Sequence, residues 1–146
     1  MRESRARYQR HPAYVKAARL RAVQTVTEWG LAPLAESVRL IISELVTNAV
    51  HYGTGRQIVV SYHVDSVRLR GEVRDLSEAM PSRRQATERS ESGRGLGIVE
   101  LTADRWGVDV KVIGKTVWFE IDLPLASETP PAAVGPASET PPVAAT

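Results

Sequence analysis

A carboxylate and an amide lie four residues apart near the middle of the chain, in the run from Ser43 to Val50. If this run is helical, Glu44 and Asn48 leave the same face about one turn apart, while apolar residues occupy another arc. Mg²⁺ prefers oxygen ligands, and a nearby carboxylate can accept a proton from an attacking hydroxyl. The spacing therefore fits metal-assisted nucleotide chemistry, although such a pair can also be just the solvated face of a helix.

A second candidate is Asp75, which ends a stretch where apolar and charged residues alternate. Its phase matches that of Val67, Leu69 and Val73, so we expect its carboxylate to point toward a layer of helices and to need a partner there. One interpretation is a turn aspartate that accepts backbone amides. The other is an acceptor for the exocyclic amine of adenine, since an ionised carboxylate accepts but does not donate and would favour an amino-bearing base.

A glycine-rich segment, Gly93-Arg94-Gly95-Leu96-Gly97, is the third candidate. Its glycines let the main chain approach a ligand closely, the free amides of a following helix favour an anion, and Arg94 adds positive charge. The segment lacks the spacing of a Walker loop and could also serve only as a hinge. Further along, the Thr116 hydroxyl could reach a base or a water, or could simply belong to a hairpin.

The elements that would position these residues follow from hydrophobic periodicity. A period near 3.6 predicts helices over 12–29 and 33–52, which end at Gly30 and Gly53, and a short helix over 96–104. A period of 2 predicts strands over 58–64, 67–75, 108–112 and 117–123. The strand over 67–75 is apolar on one face and charged on the other, which is typical of a sheet covered by helices on one side. Residues 77–92 are predicted to form a long loop of the kind that often carries function.

Composition limits the class of protein. With 146 residues the chain suffices for one domain with a core. It contains no cysteine, which excludes disulfides, thiolate metal sites and a cysteine nucleophile. No apolar run is long enough to span a bilayer, so we expect a soluble cytoplasmic protein that does not bind membranes.

The two ends of the chain differ in composition from the middle. The net charge is only +2, yet basic residues dominate the first 27 positions. We predict a basic flexible arm over 1–11, a domain over 12–125 and a disordered tail over 126–146 that is rich in proline and alanine. Nucleic-acid binding by the arm is disfavoured, because few aromatic residues there could stack on bases.

Taken in order, four segments resemble the ATP-binding boxes of the GHKL superfamily, most closely the actinobacterial branch of anti-sigma-factor serine/threonine kinases. They are Glu44-x-x-x-Asn48-Ala49, Asp75-x-Ser77-x-x-x-Pro81, Gly93 to Val99, and Gly114 to Phe119. The resemblance spans about residues 12–124. It implies the Bergerat-type ATP-binding fold, an α/β two-layer sandwich in which helices cover one face of a mixed sheet.

The resemblance also implies roles for individual residues. Asn48 would bind Mg²⁺, Asp75 would hold the adenine amine of ATP, and the segment from Gly93 to Gly97 would wrap the phosphates. Glu44 would be the general base for an incoming serine or threonine hydroxyl. Proteins of this kind hold a sigma factor inactive and phosphorylate a STAS-domain antagonist of the anti-sigma factor.

Two features of the sequence depart from the family pattern. The glycines of the superfamily motif Asp-x-Gly-x-Gly are missing after Asp75, and no clear first strand precedes Pro12. An alternative function is therefore a non-catalytic nucleotide-binding module that controls a transcription partner by protein binding. The sequence leaves open the oligomeric state, with a homodimer as one option, and whether Trp118 is a contact residue or is sheltered by its neighbours.

Overall fold

A computed structural model describes residues 1–75, 96–110 and 114–124. Within these ranges the chain forms one antiparallel sheet of five strands and three α-helices. The elements are β1 (Arg2–Gln9), α1 (Val15–Glu28), α2 (Ala35–Tyr52), β2 (Gln57–Val64), β3 (Arg68–Asp75), α3 (Leu96–Thr102), β4 (Arg105–Val110) and β5 (Lys115–Asp122). The strand order is β1-β2-β3-β5-β4. The two-layer α/β architecture is confirmed, but each of the four strand pairings in these ranges is antiparallel rather than mixed.

The helices begin and end close to where periodicity predicts. A 3-10 turn precedes each long helix, Pro12–Tyr14 before α1 and Ala32–Leu34 before α2, and each contains a proline at a position where no backbone donor is needed. Gly30 follows α1 with φ 78°, the left-handed conformation that glycine adopts without strain. Within the described residues, no helix combines the length and the apolarity that crossing a bilayer requires.

The core lies between the sheet and the helices. Alternate residues of β2, β3 and β5 point to the helix layer and pack against α1 and α2. The largest fully buried side chains of this core, from strands and helices together, are Tyr62, Phe119, Ile41, Ile42, Leu45, Ile58 and Leu69. Gly71 has a specific part in this packing. A Cβ at Gly71 would lie 2.3 Å from the ring of its cross-strand partner Phe119, so only glycine leaves room for the ring over the strand.

The N-terminal residues correct one prediction. Instead of a flexible arm, Arg2–Gln9 form the edge strand β1, which pairs with β2 along its whole length. Ala6 and Tyr8 face the helices, whereas Arg5 and Arg7 face away from them. A strand whose outer residues are charged carries little hydrophobic signal, and charges on an edge strand also discourage pairing with another chain.

Arg10 joins β1 to the end of α2. Its Nη1 donates to the Val50 carbonyl at 2.6 Å and its Nε to the Gly55 carbonyl at 2.7 Å. The guanidinium thus satisfies a carbonyl in the last turn of the helix, where positive charge is favourable. Through these bonds the edge strand holds the helix that carries Glu44 and Asn48.

We expect Arg10→Ala to lower the free energy of unfolding by about 1–3 kcal/mol, because two charge-assisted hydrogen bonds are lost and the Val50 carbonyl is left half-buried. Urea unfolding would measure this loss. Arg7→Ala is the matched control, since Arg7 makes an exposed bond to Gln57 and its removal should change stability by less than about 0.5 kcal/mol. Equal effects of the two substitutions would contradict the role of Arg10.

The sheet face away from the helices carries a network of ion pairs. Glu120 accepts from Arg105 Nε at 2.8 Å and from Arg70 Nη1 at 2.9 Å, and Arg105 also pairs with Asp122. The Arg70 guanidinium lies 4.5 Å from the centre of the Trp118 ring, and the ring also lies close to Gly107 on the neighbouring strand β4. Of the two interpretations of Trp118, the structure therefore favours the sheltered one.

These ion pairs predict a specific pH dependence. The hydrogen bond from Arg105 is the main cause that lowers the pKa of both Glu120 and Asp122 below their ordinary values of 4.5 and 3.8. A carboxylate with a lowered pKa stabilises the folded protein above its ordinary pKa, and this stabilisation is lost as the pH falls through the lowered value. Arg105→Met should therefore reduce stability at pH 7 and reduce it progressively less below about pH 4.

Urea unfolding of the wild type and Arg105→Met across this pH range checks the prediction. Lys16→Met serves as the control, because it removes the same charge from the exposed side of α1, far from both carboxylates. A difference between wild type and Arg105→Met that stays constant with pH would show that the two carboxylates do not depend on Arg105.

Candidate functional site

Asp75 forms a buried ion pair at the end of β3. Strand alternation turns its side chain to the helix layer, in phase with Val73, and leaves it 2% exposed. Lys115, the first residue of β5, lies directly opposite in the strand register and donates from Nζ to Asp75 Oδ2 at 2.7 Å. The Lys115 side chain is itself only 7% exposed. The partner that the buried carboxylate requires is thus a lysine on the neighbouring strand.

Two glycines allow the backbone to pass close to Asp75. Gly114 has φ +76°, and a Cβ there would lie 2.0 Å from the Asp75 carbonyl oxygen. Gly53, which ends α2, has an ordinary φ of −78°, but a Cβ would lie 2.3 Å from the Ala49 carbonyl and 3.2 Å from Asp75 Oδ2. Glycine is therefore needed at position 53 because the Ala49 carbonyl leaves no room for a Cβ, and not because the backbone is left-handed there. At both positions a side chain would collide with neighbouring atoms, which include the Asp75 backbone at Gly114 and the Asp75 carboxylate at Gly53.

A cleft opens beside this ion pair, between α2, α3 and the strands β3 and β5. Its walls are mostly apolar, and its polar groups are one amide, one carboxylate and one ammonium; the lining residues are Leu45, Asn48, Ala49, Val73, Asp75, Leu96, Lys115 and Val117. Apolar walls with a few convergent polar groups are typical of small-molecule sites. The arrangement suits a flat ring whose faces are apolar and whose edge forms hydrogen bonds.

Glu44 and Asn48 both lie half-buried on α2, one turn apart. Asn48 contributes its amide to the cleft wall. Glu44 is not among the residues that line the cleft and lies one turn nearer the N-terminus of α2. A carboxylate in this position does not contact a ring held beside Asp75, but it remains on the same helix face as the Asn48 amide.

The glycine-rich segment is described only in part. Leu96 begins α3 and contributes to the cleft wall. Gly97 lies in the first turn, where a Cβ would meet nothing within 4 Å, so packing among the described residues does not require glycine there. Gly93, Arg94 and Gly95 lie outside the described residues, as do the predicted loop over 77–92 and the tail over 126–146.

The structure corrects the prediction that the Thr116 hydroxyl could reach a bound base. Its cross-strand partner is Arg74, and strand alternation places both on the sheet face away from the helices, whereas Asp75 and Lys115 face the helices. Thr116 therefore does not reach the cleft. The residue of this turn that does reach it is Lys115, and its signal in the sequence was its position at the start of a strand whose apolar residues, Val117 and Phe119, have the same phase.

The chemistry of the cleft residues suits adenine and Mg²⁺, the two ligands that the resemblance to ATP-binding proteins implies. The apolar walls and the buried carboxylate suit a purine base with an exocyclic amine. The Asn48 amide oxygen is a hard ligand of the kind that Mg²⁺ accepts. Among the described residues, no three acidic or histidine side chains come together to hold a metal.

The fold and the site define a class of protein: a two-layer α/β domain with a small, mostly apolar cleft between one long helix and the sheet. Comparison with protein families gives the specific assignment. The model of the histidine kinase-like ATPase domain matches residues 8–121, from β1 to β5, and the chain belongs to this family. A search of curated proteins finds no significant match.

Proposed function

We propose that the chain is an ATP- and Mg²⁺-dependent serine/threonine protein kinase that also acts as an anti-sigma factor. Its substrate would be a STAS-domain antagonist of that anti-sigma activity, and its second partner would be the sigma factor. The observation that carries the proposal is that one cleft of a histidine kinase-like ATPase domain brings Asn48 and Asp75 together, with Glu44 one turn away on the same helix.

In this proposal each residue has one task. Asp75 accepts a hydrogen bond from the exocyclic amine of adenine at the buried end of the cleft. The Asn48 amide oxygen binds Mg²⁺, which neutralises charge on the phosphates. The hydroxyl oxygen of the substrate serine or threonine forms a bond to the γ-phosphorus while the bond to the β-phosphate oxygen breaks, releasing ADP. Glu44 accepts the hydroxyl proton.

Transfer of labelled phosphate tests the proposal. The purified chain is incubated with γ-labelled ATP, Mg²⁺ and each STAS-domain protein of the same organism, and each candidate acceptor is also tested with its serine or threonine residues replaced. We expect Mg²⁺-dependent labelling of one acceptor, lost when the modified residue is alanine. Binding of ATP without transfer to any of these proteins would contradict the kinase assignment.

A second candidate is a nucleotide-binding regulatory module without catalysis. The observation that favours it is the position of Glu44 outside the set of cleft-lining residues. In that case the module would bind ATP and a sigma factor, and sigma-factor binding would not depend on the Glu44 carboxylate. A sigma-factor pull-down and labelled-phosphate transfer, each with wild type and Glu44→Gln, separate the two candidates: the kinase loses phosphate transfer in Glu44→Gln, whereas the module shows no transfer in either protein and keeps its sigma-factor binding in both.

A further inference from the structure

The strand β1 forms one edge of the sheet, and among the described residues its outer side is unpaired. Its inner side pairs with β2, and just beyond the strand the Arg10 backbone N–H donates to the Arg56 carbonyl at 2.7 Å. Backbone bonds alternate in direction along an antiparallel strand, so the N–H and C=O groups of Glu3, Arg5 and Arg7 point away from β2. They form a row to which a further strand can bond.

Two open grooves flank this row, one on each face of the sheet. The groove between β1 and α1 has a volume of about 420 Å³, and the groove on the face away from the helices has a volume of about 260 Å³. The same three residues, Glu3, Ser4 and Arg5, border both grooves. Successive side chains of a strand point to opposite faces, so a strand added to β1 needs room on both faces. The two grooves supply that room.

The outward-pointing residues of β1 carry more positive than negative charge. Within the described part of the chain, Arg5 makes no hydrogen bond or ion pair, and Arg7 donates only to the amide oxygen of Gln57. Glu3 is the one acid of the strand, and its Oε2 lies 3.7 Å from His63 Nδ1. Opposite charges on directly opposed residues stabilise a strand pair, whereas like charges destabilise it. The edge therefore favours a strand with more acids than bases.

A second copy of the chain does not meet this requirement. Each β1 contains three arginines and one glutamate, so two copies would leave most of their arginines without an acid. We propose that β1 is the docking edge for an extended, net acidic segment of another protein, which adds as a further antiparallel strand. Read from its N-terminus, this segment has an acid opposite Arg7, an acid opposite Arg5 and a base opposite Glu3, with one residue between each. The proposal is independent of ATP binding and of phosphate transfer.

Three synthetic peptides test the proposal on the isotope-labelled full chain, with NMR shifts of the β1 amides as the readout. The acidic peptide is acetyl-Thr-Glu-Thr-Glu-Thr-Lys-Thr-amide, and the charge-reversed peptide is acetyl-Thr-Lys-Thr-Lys-Thr-Glu-Thr-amide. We expect the acidic peptide to bind at least about 10-fold more tightly, because three attractive pairs become repulsive in the reversed one. The third peptide keeps the acidic sequence but has both glutamate nitrogens methylated. It should lose binding, since strand addition depends on backbone hydrogen bonds.

A substitution on β1 tests the register. Arg5→Glu should weaken binding of the acidic peptide by about 2- to 30-fold, because one attractive pair becomes repulsive. A peptide with lysine in place of its second glutamate, acetyl-Thr-Glu-Thr-Lys-Thr-Lys-Thr-amide, should restore binding to this variant. Lys16→Glu makes the same change of charge at an exposed position of α1 and should bind the acidic peptide like the wild type.

Several results would overturn the proposal. Failure of the wild type to bind the acidic peptide is one, and equal affinity for the acidic and charge-reversed peptides is another. Unchanged binding of the methylated peptide would show general charge attraction without strand pairing. Sedimentation of the wild type tests the remaining occupant, because a dimer that Arg5→Glu dissociates would mean that a second copy covers the edge. A monomeric wild type that binds only the unmethylated acidic peptide is the expected result.

Discussion

Asp75→Ala is expected to lower the free energy of unfolding by about 3–5 kcal/mol, because it removes the carboxylate that forms an ion pair with the buried Lys115 ammonium. The same substitution should abolish measurable ATP binding, since in the proposed function Asp75 accepts the hydrogen bond of the adenine amine. Urea unfolding measures the first effect and calorimetry with Mg²⁺ and ATP the second.

Two further variants separate these effects. Asp109→Ala removes an exposed aspartate of β4 and should leave both stability and binding close to those of the wild type. The double variant Asp75→Ala with Lys115→Met removes both buried charges, so its stability should recover while ATP binding stays absent. Wild-type stability of the single variant Asp75→Ala would show that the ion pair is not buried in solution.

The helices and hairpins could be predicted from the sequence because their signals are local. Apolar residues at helical spacing predicted the ends of α1 and α2 to within three residues, and alternation predicted the hairpin of β2 and β3. The strand β4 begins three residues earlier than predicted, at Arg105, because Arg105, Trp106 and Gly107 do not alternate in polarity. The edge strand β1 was missed for a similar reason, since charged residues cover its outer face.

The strand order could not be predicted, since β3 and β5 are separated along the chain by α3 and β4 and no local pattern specifies their pairing. This pairing brings Lys115 to Asp75. The ion pair could therefore not be predicted from the sequence, because its two residues are 40 positions apart and meet only through the strand order. Thr116 lies on the wrong face of the sheet to reach the cleft. Neighbouring residues of a strand point to opposite faces, and it is Lys115, one residue earlier, that faces the cleft. By contrast, the direction in which Asn48 and Asp75 point follows from the periodicity of their own helix and strand, and both side chains line the cleft.

Glu44→Gln is expected to have the largest effect on activity, a decrease of about 10²- to 10⁴-fold in the rate of phosphate transfer, which is the usual contribution of a general base. The amide keeps the size of the side chain but accepts a proton far less readily. Because Glu44 does not line the cleft, the affinity for ATP should stay unchanged. Single-turnover transfer from labelled ATP and calorimetry measure the two quantities separately.

Glu36→Gln is the matched control, because Glu36 is an exposed carboxylate in the first turn of the same helix, where it pairs with Arg39. It should leave the transfer rate unchanged. Asn48→Ala should instead weaken ATP binding in the presence of Mg²⁺, since its amide lines the cleft. A Glu44→Gln protein that transfers phosphate at the wild-type rate would place the proton acceptor elsewhere. Loss of ATP affinity in that variant would mean that Glu44 acts in binding, and the division of tasks along α2 would then be wrong.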